Sequence, residues 1–254
     1  MASVSTKQLL NYLDEQLQPQ LWRDCCPNGL QVEGCEQIER IVTAVTATQA
    51  VLDAAVHCQA QAVLVHHGYF WRGEDPCIRG IKRKRLSTLL AHNLNLIAYH
   101  LPLDGHAEWG NNVQLSRLLD LRITGEFAYS KGPALALTGE LPSAMTGAEF
   151  ADYLAQKLQR SPFWLAGSAD KIKRIGWSTG AAQDLIEEAL TQNVDAYLTG
   201  EVCERTTHFS RDSGIYFYAA GHHATERYGV RALGEHLAAQ FGIVNQYIEI
   251  DNPV

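Results

Sequence analysis

The sequence of 254 residues lacks the segments that mark membrane and exported proteins. No apolar run approaches the roughly 20 residues that a membrane-spanning helix needs. The first residues lead directly into a polar helical pattern, so no export signal is predicted. A net charge of −7 argues against broad affinity for nucleic acids or anionic membranes. We therefore expect a cytoplasmic protein that binds neither membranes nor nucleic acids.

Several sequence motifs of common enzyme sites are also missing. The six cysteines contain no C-x-x-C pair, and without an export signal they are expected to be reduced thiols. The chain has no G-x-x-x-x-G-K-[ST] loop, no G-x-G-x-x-G after a strand and no G-x-S-x-G turn. If the protein is an enzyme, bound metal ions are therefore expected to supply the nucleophile and the electrophile.

A short apolar run at residues 62–65 ends abruptly in His66, His67 and Gly68. The run is too short for a helix and predicts a buried parallel strand that delivers side chains to the carboxyl edge of a sheet. Adjacent strand residues point to opposite faces, so His66 and His67 share a site only where the chain turns, which Gly68 permits. Imidazoles at such an edge indicate divalent-metal ligands. The alternative is a pair of hydrogen-bonded edge histidines.

Helices and strands are predicted to alternate around this run. Leu9, Leu10, Leu13 and Leu17 form the apolar stripe of a first helix that Ser5 or Thr6 can cap. A strand at 41–45, a helix at 48–60 and the strand at 62–65 form a βαβ unit. Residues 27–34 predict a turn-rich loop, and the basic residues 82–85 predict the solvated first turns of a helix rather than a nucleic-acid patch. Further strands are predicted at 94–99 and 215–219.

The second half of the sequence repeats the first. When Arg40 is aligned with Arg174, the alignment continues without a gap until His67 lies opposite Glu201. A separate alignment places His100 opposite His222 and Asp104 opposite Glu226. The repetition predicts a duplicated βαβ unit. We place the halves at 1–125 and 126–254, with a boundary region rich in glycine and proline at 125–147 around a short strand at 134–138.

Three predicted strand ends therefore offer metal ligands. They carry His66 and His67, then His100 and Asp104, then His222, His223 and Glu226. These are more donors than one ion requires, which indicates a site for two ions that share a carboxylate and a water. No cysteine joins the donors, and the nitrogen and oxygen set suits iron, manganese or zinc. The remaining histidines, His57, His92, His106, His208 and His236, are interpreted as surface or packing residues.

At these residues the sequence resembles the NIF3 family, also called the GTP cyclohydrolase I type 2 homologue family, and most closely its short bacterial members of the YbgI type. The matching segments run almost from end to end in the family's order. They are P-N-G-L-Q-V-E-G at 27–34, V-H-H-G-Y-F-W at 65–71, H-L-P-L-D at 100–104, G-N-N at 110–112, T-G-E-V at 199–202 and G-H-H-A-T-E-R at 221–227.

The resemblance implies an α/β fold of two interlaced, internally duplicated domains with mixed central sheets. It implies a toroidal homohexamer, a trimer of dimers, with two divalent metal ions per subunit. Iron or manganese is favoured, and zinc or nickel is the alternative. One ion would be held by His67, Asp104 and Glu226 and the other by His66, His222 and Glu226, so that Glu226 bridges. His100 matches the family pattern either as a ligand or as a support, whereas His223 is expected outside the ligand set.

The repeat adds Glu201, which lies opposite His67 in the alignment. We expect its carboxylate beside the metal site, where it accepts or orients a proton during catalysis. The alternative is that Glu201 caps the following helix.

For the protein as a whole, the resemblance implies a metal-dependent hydrolase or cyclohydrolase acting on a small, nucleotide-like molecule. Arg79, Lys82 and Arg227 are candidate phosphate partners at most, and the alternative is that they are ordinary surface charges.

The alternative function is a non-catalytic, metal-binding or regulatory assembly that acts through protein partners in iron handling, stress or DNA repair. A purely structural protein is a third reading, and it needs no such cluster of ligands. An open coordination position on the metal is the feature that separates an enzyme from a non-catalytic assembly and from a structural protein.

Overall fold

Helices and strands alternate along most of the chain in the computed structural model, which describes residues 2–129 and 132–254. The helices are α1 (Thr6–Leu17), α2 (Gln49–His57), α3 (Gly80–Ala91), α4 (Leu101–Asp104), α5 (Asn111–Leu118), α6 (Gly147–Leu158), α7 (Ile186–Thr191), α8 (Glu204–Ser213) and α9 (His222–Phe241). The strands are β1 (Val4–Ser5), β2 (Gly29–Val32), β3 (Gln37–Ile38), β4 (Arg40–Thr46), β5 (Ala62–His67), β6 (Asn95–Ala98), β7 (Arg122–Tyr129), β8 (Ala134–Met145), β9 (Phe163–Leu165), β10 (Ile172–Trp177), β11 (Ala196–Thr199), β12 (Tyr216–Ala219) and β13 (Val244–Tyr247). The predicted mixed α/β class is confirmed.

The chain divides into two compact units. The first unit consists of Met1–Leu103 and Gly229–Asp251, and the second of Asp104–Tyr228 and Asn252–Val254. These units do not coincide with the halves at 1–125 and 126–254, because the boundary between residues 125 and 126 lies within β7. The two halves therefore describe a repeat in the sequence, and the units describe how the chain packs.

The first unit is built on a five-stranded sheet with the order β13-β4-β5-β6-β2. Strands β13, β4, β5 and β6 are parallel, and β2 is antiparallel to β6. Val42, Val63 and Leu96 are buried on the central strands, and Val51 and Leu52 of α2 belong to the same core. Because both faces of these strands are covered, they are continuous apolar runs rather than alternating ones.

The second unit is built on a six-stranded sheet with the order β7-β8-β10-β11-β12-β9. Strands β10, β11 and β12 are parallel, whereas β7, β8 and β9 pair antiparallel with their neighbours. The single short strand predicted at 134–138 is therefore wrong in extent. It is part of β8, which is 12 residues long and pairs with β7 through residues 134–140.

The parallel strands of the two units pair in the same register. In the first unit Ile41 lies opposite Ala62 and Thr43 opposite Leu64. In the second unit the aligned residues do the same, with Ile175 opposite Ala196 and Trp177 opposite Leu198. Positions that correspond in the sequence repeat thus occupy corresponding places in two separate sheets.

Local signals account for most of the remaining elements. Ser5 caps α1 and forms a capping box with Gln8, and Thr146 and Glu149 form a capping box at the start of α6. The basic residues 82–85 lie in the first turns of α3, as predicted. The loop predicted at 27–34 is wrong in its centre, because Gly29–Val32 forms the edge strand β2. Among the helices of residues 2–129 and 132–254, none is long and apolar enough to cross a membrane.

Candidate metal centre

Three imidazoles come together in the first unit at the carboxyl ends of β5 and β6. His66 and His67 end β5, and their ring centroids are 4.5 Å apart. His100 follows β6, and its centroid lies 5.0 Å from that of His66 and 5.7 Å from that of His67. One ring nitrogen from each of the three residues lies within 4.8 Å of the others. These distances allow the three side chains to face a common ion.

Hydrogen bonds on the far side of each ring fix its orientation. Nδ1 of His66 is 3.0 Å from the carbonyl oxygen of Tyr99, and Nδ1 of His100 is 2.8 Å from Oδ1 of Asp24. Both oxygens can only accept, so Nδ1 carries the proton and the lone pair lies on Nε2. Nδ1 of His67 is 3.1 Å from the hydroxyl oxygen of Thr46. Metal-binding histidines are typically anchored in this way through their second nitrogen.

Asp24, which was not predicted from the sequence, anchors His100. Its carboxylate accepts hydrogen bonds from the backbone N–H groups of Cys25 and Leu101 and from the amide of Asn28. Burial raises the pKa of Asp24, but the hydrogen bonds from His100, Asn28 and Leu101 outweigh it and hold the pKa well below its usual range. Asp24, Cys26 and His100 also meet the spacing of a metal site. Since N–H donors surround both carboxylate oxygens, we interpret this group as an anchor.

Glycine is required at position 68 because the side chain of Gln31 approaches the backbone closely there, not because the chain turns. A Cβ atom at this position would lie 2.2 Å from Oε1 of Gln31, the same oxygen that accepts the backbone N–H of Tyr69 at 2.7 Å. The loop then places the ring of Trp71 5.0 Å from His100 and 5.9 Å from His67. Gln31 and Gly68 thereby fix an aromatic wall beside the imidazoles.

In the second unit, His222 lies between two carboxylates. It begins α9, and its Nε2 atom is 3.0 Å from Oε2 of Glu226, one helical turn away. Its Nδ1 atom is 2.6 Å from Oε1 of Glu201. Glu226 is buried, with 3% of its surface exposed. Burial lowers the pKa of His222, but the hydrogen bonds and charges of Glu226 and Glu201 outweigh it and raise the pKa to about 9.

The buried carboxylate of Asp104 belongs to the second unit as well. Its Oδ1 atom accepts hydrogen bonds from the amide of Asn111 at 2.9 Å and from the hydroxyl of Thr179 at 3.3 Å. Both of these donors are neutral, so neither supplies a positive charge. A buried carboxylate held by neutral donors suits a cation.

Gly180 leaves the space that Glu226 and His222 occupy. Its φ is +68°, and a Cβ atom there would lie 2.0 Å from Oε1 of Glu226 and 3.3 Å from Nε2 of His222. This glycine was not predicted from the sequence, although the repeat places it opposite Thr46, the residue that anchors His67.

The donors fit divalent transition metals. The first unit offers three imidazoles, and the second offers one imidazole with the buried carboxylates of Asp104 and Glu226. Neutral imidazole and carboxylate together suit iron, manganese or zinc, and within the described residues the three-histidine group contains no thiolate.

Glu201, predicted either to lie beside the metal site or to cap a helix, contacts His222. The helix that follows Glu201 is α8, and its N-cap residue is Cys203, whose side chain makes no capping hydrogen bond. The backbone N–H of His223 donates to the carbonyl oxygen of Val254.

The candidate phosphate partners are engaged by groups of the protein. Arg79 binds Asp75 at 2.6 Å, Lys82 binds Glu74 at 3.2 Å, and the guanidinium of Arg227 donates to the carbonyl oxygen of Leu158 at 2.6 Å. These contacts favour structural roles for all three cations.

The fold and the donors define a mixed α/β protein with imidazoles and carboxylates at the carboxyl ends of parallel strands. Residues 4–253 match the family Duf34/NIF3 (NGG1p interacting factor 3), and the chain belongs to this family. The family recognised from the sequence is thereby confirmed.

Relatives and solved structures agree with this assignment over the full chain. A protein of Pseudomonas aeruginosa named "GTP cyclohydrolase 1 type 2 homolog" is 50% identical over 251 residues, which are 99% of each chain. The solved structure "protein ybgI, unknown function" is 47% identical, with a TM-score of 0.95 over 99% of this chain and 100% of the other. The crystal structure of TTHA1606 from Thermus thermophilus is 32% identical, with a TM-score of 0.86 over 99% of this chain and 100% of the other.

Proposed function

We propose that this protein is a hydrolase that depends on two divalent metal ions. The ligands are His67, Asp104 and Glu226 for one ion and His66, His222 and Glu226 for the other, with Glu226 as the bridge. His100 is a further ligand or a support. We propose that the donors of the two units bind the same pair of ions, as the family resemblance implies.

The observation that carries the proposal is the anchored group of three histidines in the first unit. Two neighbouring strand ends bring one ring nitrogen from each of His66, His67 and His100 within 4.8 Å of one another, which is a spacing that can hold a metal ion. Hydrogen bonds through Nδ1 place the lone pairs of His66 and His100 on Nε2. This arrangement favours metal binding over the alternative of hydrogen-bonded edge histidines.

Bound ions would polarise the substrate and lower the pKa of a water molecule to near neutrality. The protein's own groups hold the reaction geometry. Glu201 orients His222 through Nδ1 and supplies a carboxylate that can accept or orient a proton, and Asp24 orients His100 through its Nδ1 in the same manner. The imidazole and carboxylate donors favour iron or manganese, with zinc or nickel as alternatives.

We further propose a cytoplasmic homohexamer, a trimer of dimers in the shape of a ring, as the family resemblance implies. The substrate is a small molecule. The name of the Pseudomonas aeruginosa relative suggests a nucleotide-like one, but Arg79, Lys82 and Arg227 are each held by groups of the protein.

A substrate screen with separately loaded iron, manganese and zinc protein tests the proposed activity. Phosphoesters, amides and nucleotides are offered to the wild type and to His67→Ala, with His57→Ala on α2 as the matched control. Turnover that requires metal, disappears in His67→Ala and persists in His57→Ala supports a hydrolase. Metal-replete protein that turns over none of these substrates would favour the non-catalytic, metal-binding assembly.

A further inference from the structure

A cavity of about 140 Å³ opens beside Asp104 within the second unit. Its walls come from the loop after Asp104, from α5 and from the paired strands β7 and β8. Val113, Ile123 and Leu137 give it an apolar lining. Asp104, which we propose as a metal ligand, forms part of the same wall, so the cavity adjoins a group of the proposed centre.

The polar walls of the cavity are fixed by hydrogen bonds. The amide of Asn112 donates to the carbonyl oxygen of Leu135 and accepts the backbone N–H of Thr179. The ring of His106 stacks on Trp109 at 4.5 Å, and its Nδ1 accepts two backbone N–H groups. Because these groups are already oriented, the cavity is preformed and does not depend on a ligand to shape it.

The volume sets the size of the group that the cavity can hold. An apolar cavity of about 150 Å³ binds benzene. At about 140 Å³ this cavity accommodates an apolar group of similar size, on the order of six heavy atoms. A triphosphate or a whole nucleotide is too large for it.

The charge of the lining selects against anions. Glu126 contributes a carboxylate, and Asp104 contributes a second one whose charge acts on a ligand only while no metal ion is bound to it. No lysine or arginine is found among the described residues that line the cavity. Arg122, on the same strand as Glu126, is bound to Glu140 at 2.7 Å. A ligand with an ammonium group gains from Glu126, whereas a phosphate or carboxylate group placed beside Glu126 is repelled.

We propose that this cavity is a substrate subsite for a small cationic amine whose compact apolar group is the size of a benzene ring. The assignment as a substrate subsite rests on the proposed hydrolase function, while binding itself does not. The apolar group lies against Val113 and Leu137, and the ammonium group faces Glu126. The substrate class is then amines with a compact apolar group, in place of nucleotides.

Three fragments of equal size and different charge test this inference on the full chain: benzylamine, benzyl alcohol and benzoate. Binding is measured by ligand-observed NMR and by titration, with and without added manganese. In the metal-free protein we expect benzylamine to bind about two- to fivefold more tightly than benzyl alcohol, which is the range of a solvent-accessible charge pair, and benzoate not to bind. Glu126→Gln should remove the preference for the amine, and Glu187→Gln on the exposed face of α7 is the matched control.

Filling the cavity tests its location. Val113→Phe and Leu137→Phe should each abolish binding of benzylamine. Two filling variants are used so that the test still stands if one of them fails to fold. Equal binding of the three fragments, or benzylamine binding that survives both filling variants, would overturn the inference. Competition of benzylamine by GTP or inorganic phosphate would also count against it. Fragment binding without any metal uptake would refute the metal-dependent function and leave an amine-binding cavity without a role as a substrate subsite. Metal uptake without fragment binding would refute the amine-binding cavity and leave the metal-dependent function.

Discussion

Oε1 of Glu201 lies 2.6 Å from Nδ1 of His222, so a carboxylate fixes the orientation of the imidazole that we assign to a metal. The sequence repeat alone pointed to Glu201, because it places this residue opposite His67. Removing its charge without changing its shape separates orientation from ligation. We therefore expect Glu201→Gln to bind metal fully at saturation and to lower any hydrolytic rate about tenfold or more. Metal content and rate are measured on the same sample, and an unchanged rate at full metal content would contradict the role.

The carboxylate of Asp24 accepts hydrogen bonds from four N–H donors, and the side chain of an asparagine cannot accept all four. Asp24→Asn should lower the free energy of unfolding by about 1–3 kcal/mol, because its side chain is only 4% exposed and the lost bonds involve a charged acceptor. It should also weaken metal binding about 10- to 100-fold through the freed ring of His100. Urea unfolding and metal titration measure the two effects. Asp53→Asn, at an exposed position on α2, is the control and should change neither.

A substitution at Gly180 tests whether the space beside Glu226 is needed for metal binding, provided that the cost of a side chain at a positive φ is measured separately. Alanine at a positive φ costs about 1–2 kcal/mol in any position. In Gly180→Ala the new methyl group also displaces Glu226, so metal affinity should fall at least about tenfold beyond the loss of stability. Gly80→Ala is the matched control, since Gly80 has a φ of +57° and nothing within 4 Å of the added atom. Equal metal affinity in the two variants would show that the space beside Glu226 is not needed.

The assembly is tested by light scattering at micromolar concentration. The proposed ring predicts a mass near six chains for the wild type and for variants of the metal site. A monomer under these conditions would contradict the proposed hexamer without affecting the metal ligands.

Sequence patterns were sufficient for the elements in which local and tertiary signals agree. Strands β4 and β5 are apolar because both of their faces are buried, and α2 begins at the cap residue Thr48. Where a strand pairs at an edge, the local pattern was misleading. Gly29–Val32 is flanked by the turn-forming residues Pro27, Asn28 and Gly34, yet it is a strand because it pairs with β6 through a bulge.

The candidate site was predictable where the donor itself carries the signal. His66 and His67 end a strand, and His100 and His222 lie a few residues after one, where the carboxyl ends of parallel strands gather side chains. Asp24 and Gly180 were missed because their roles depend on atoms distant in the sequence. Asp24 reaches His100 from a loop 76 positions earlier, and Gly180 matters only through the Cβ atom that it lacks.

Metal stoichiometry tests the central claim most directly. The wild type and Glu226→Gln are purified without oxygen, titrated with iron(II) and with manganese, and analysed for bound metal per chain after gel filtration. If Glu226 bridges two ions, the wild type binds about two equivalents, and Glu226→Gln loses most of them while keeping the same assembly. Two full equivalents in Glu226→Gln would contradict the bridge, and a wild type that retains no metal would contradict the metal centre itself.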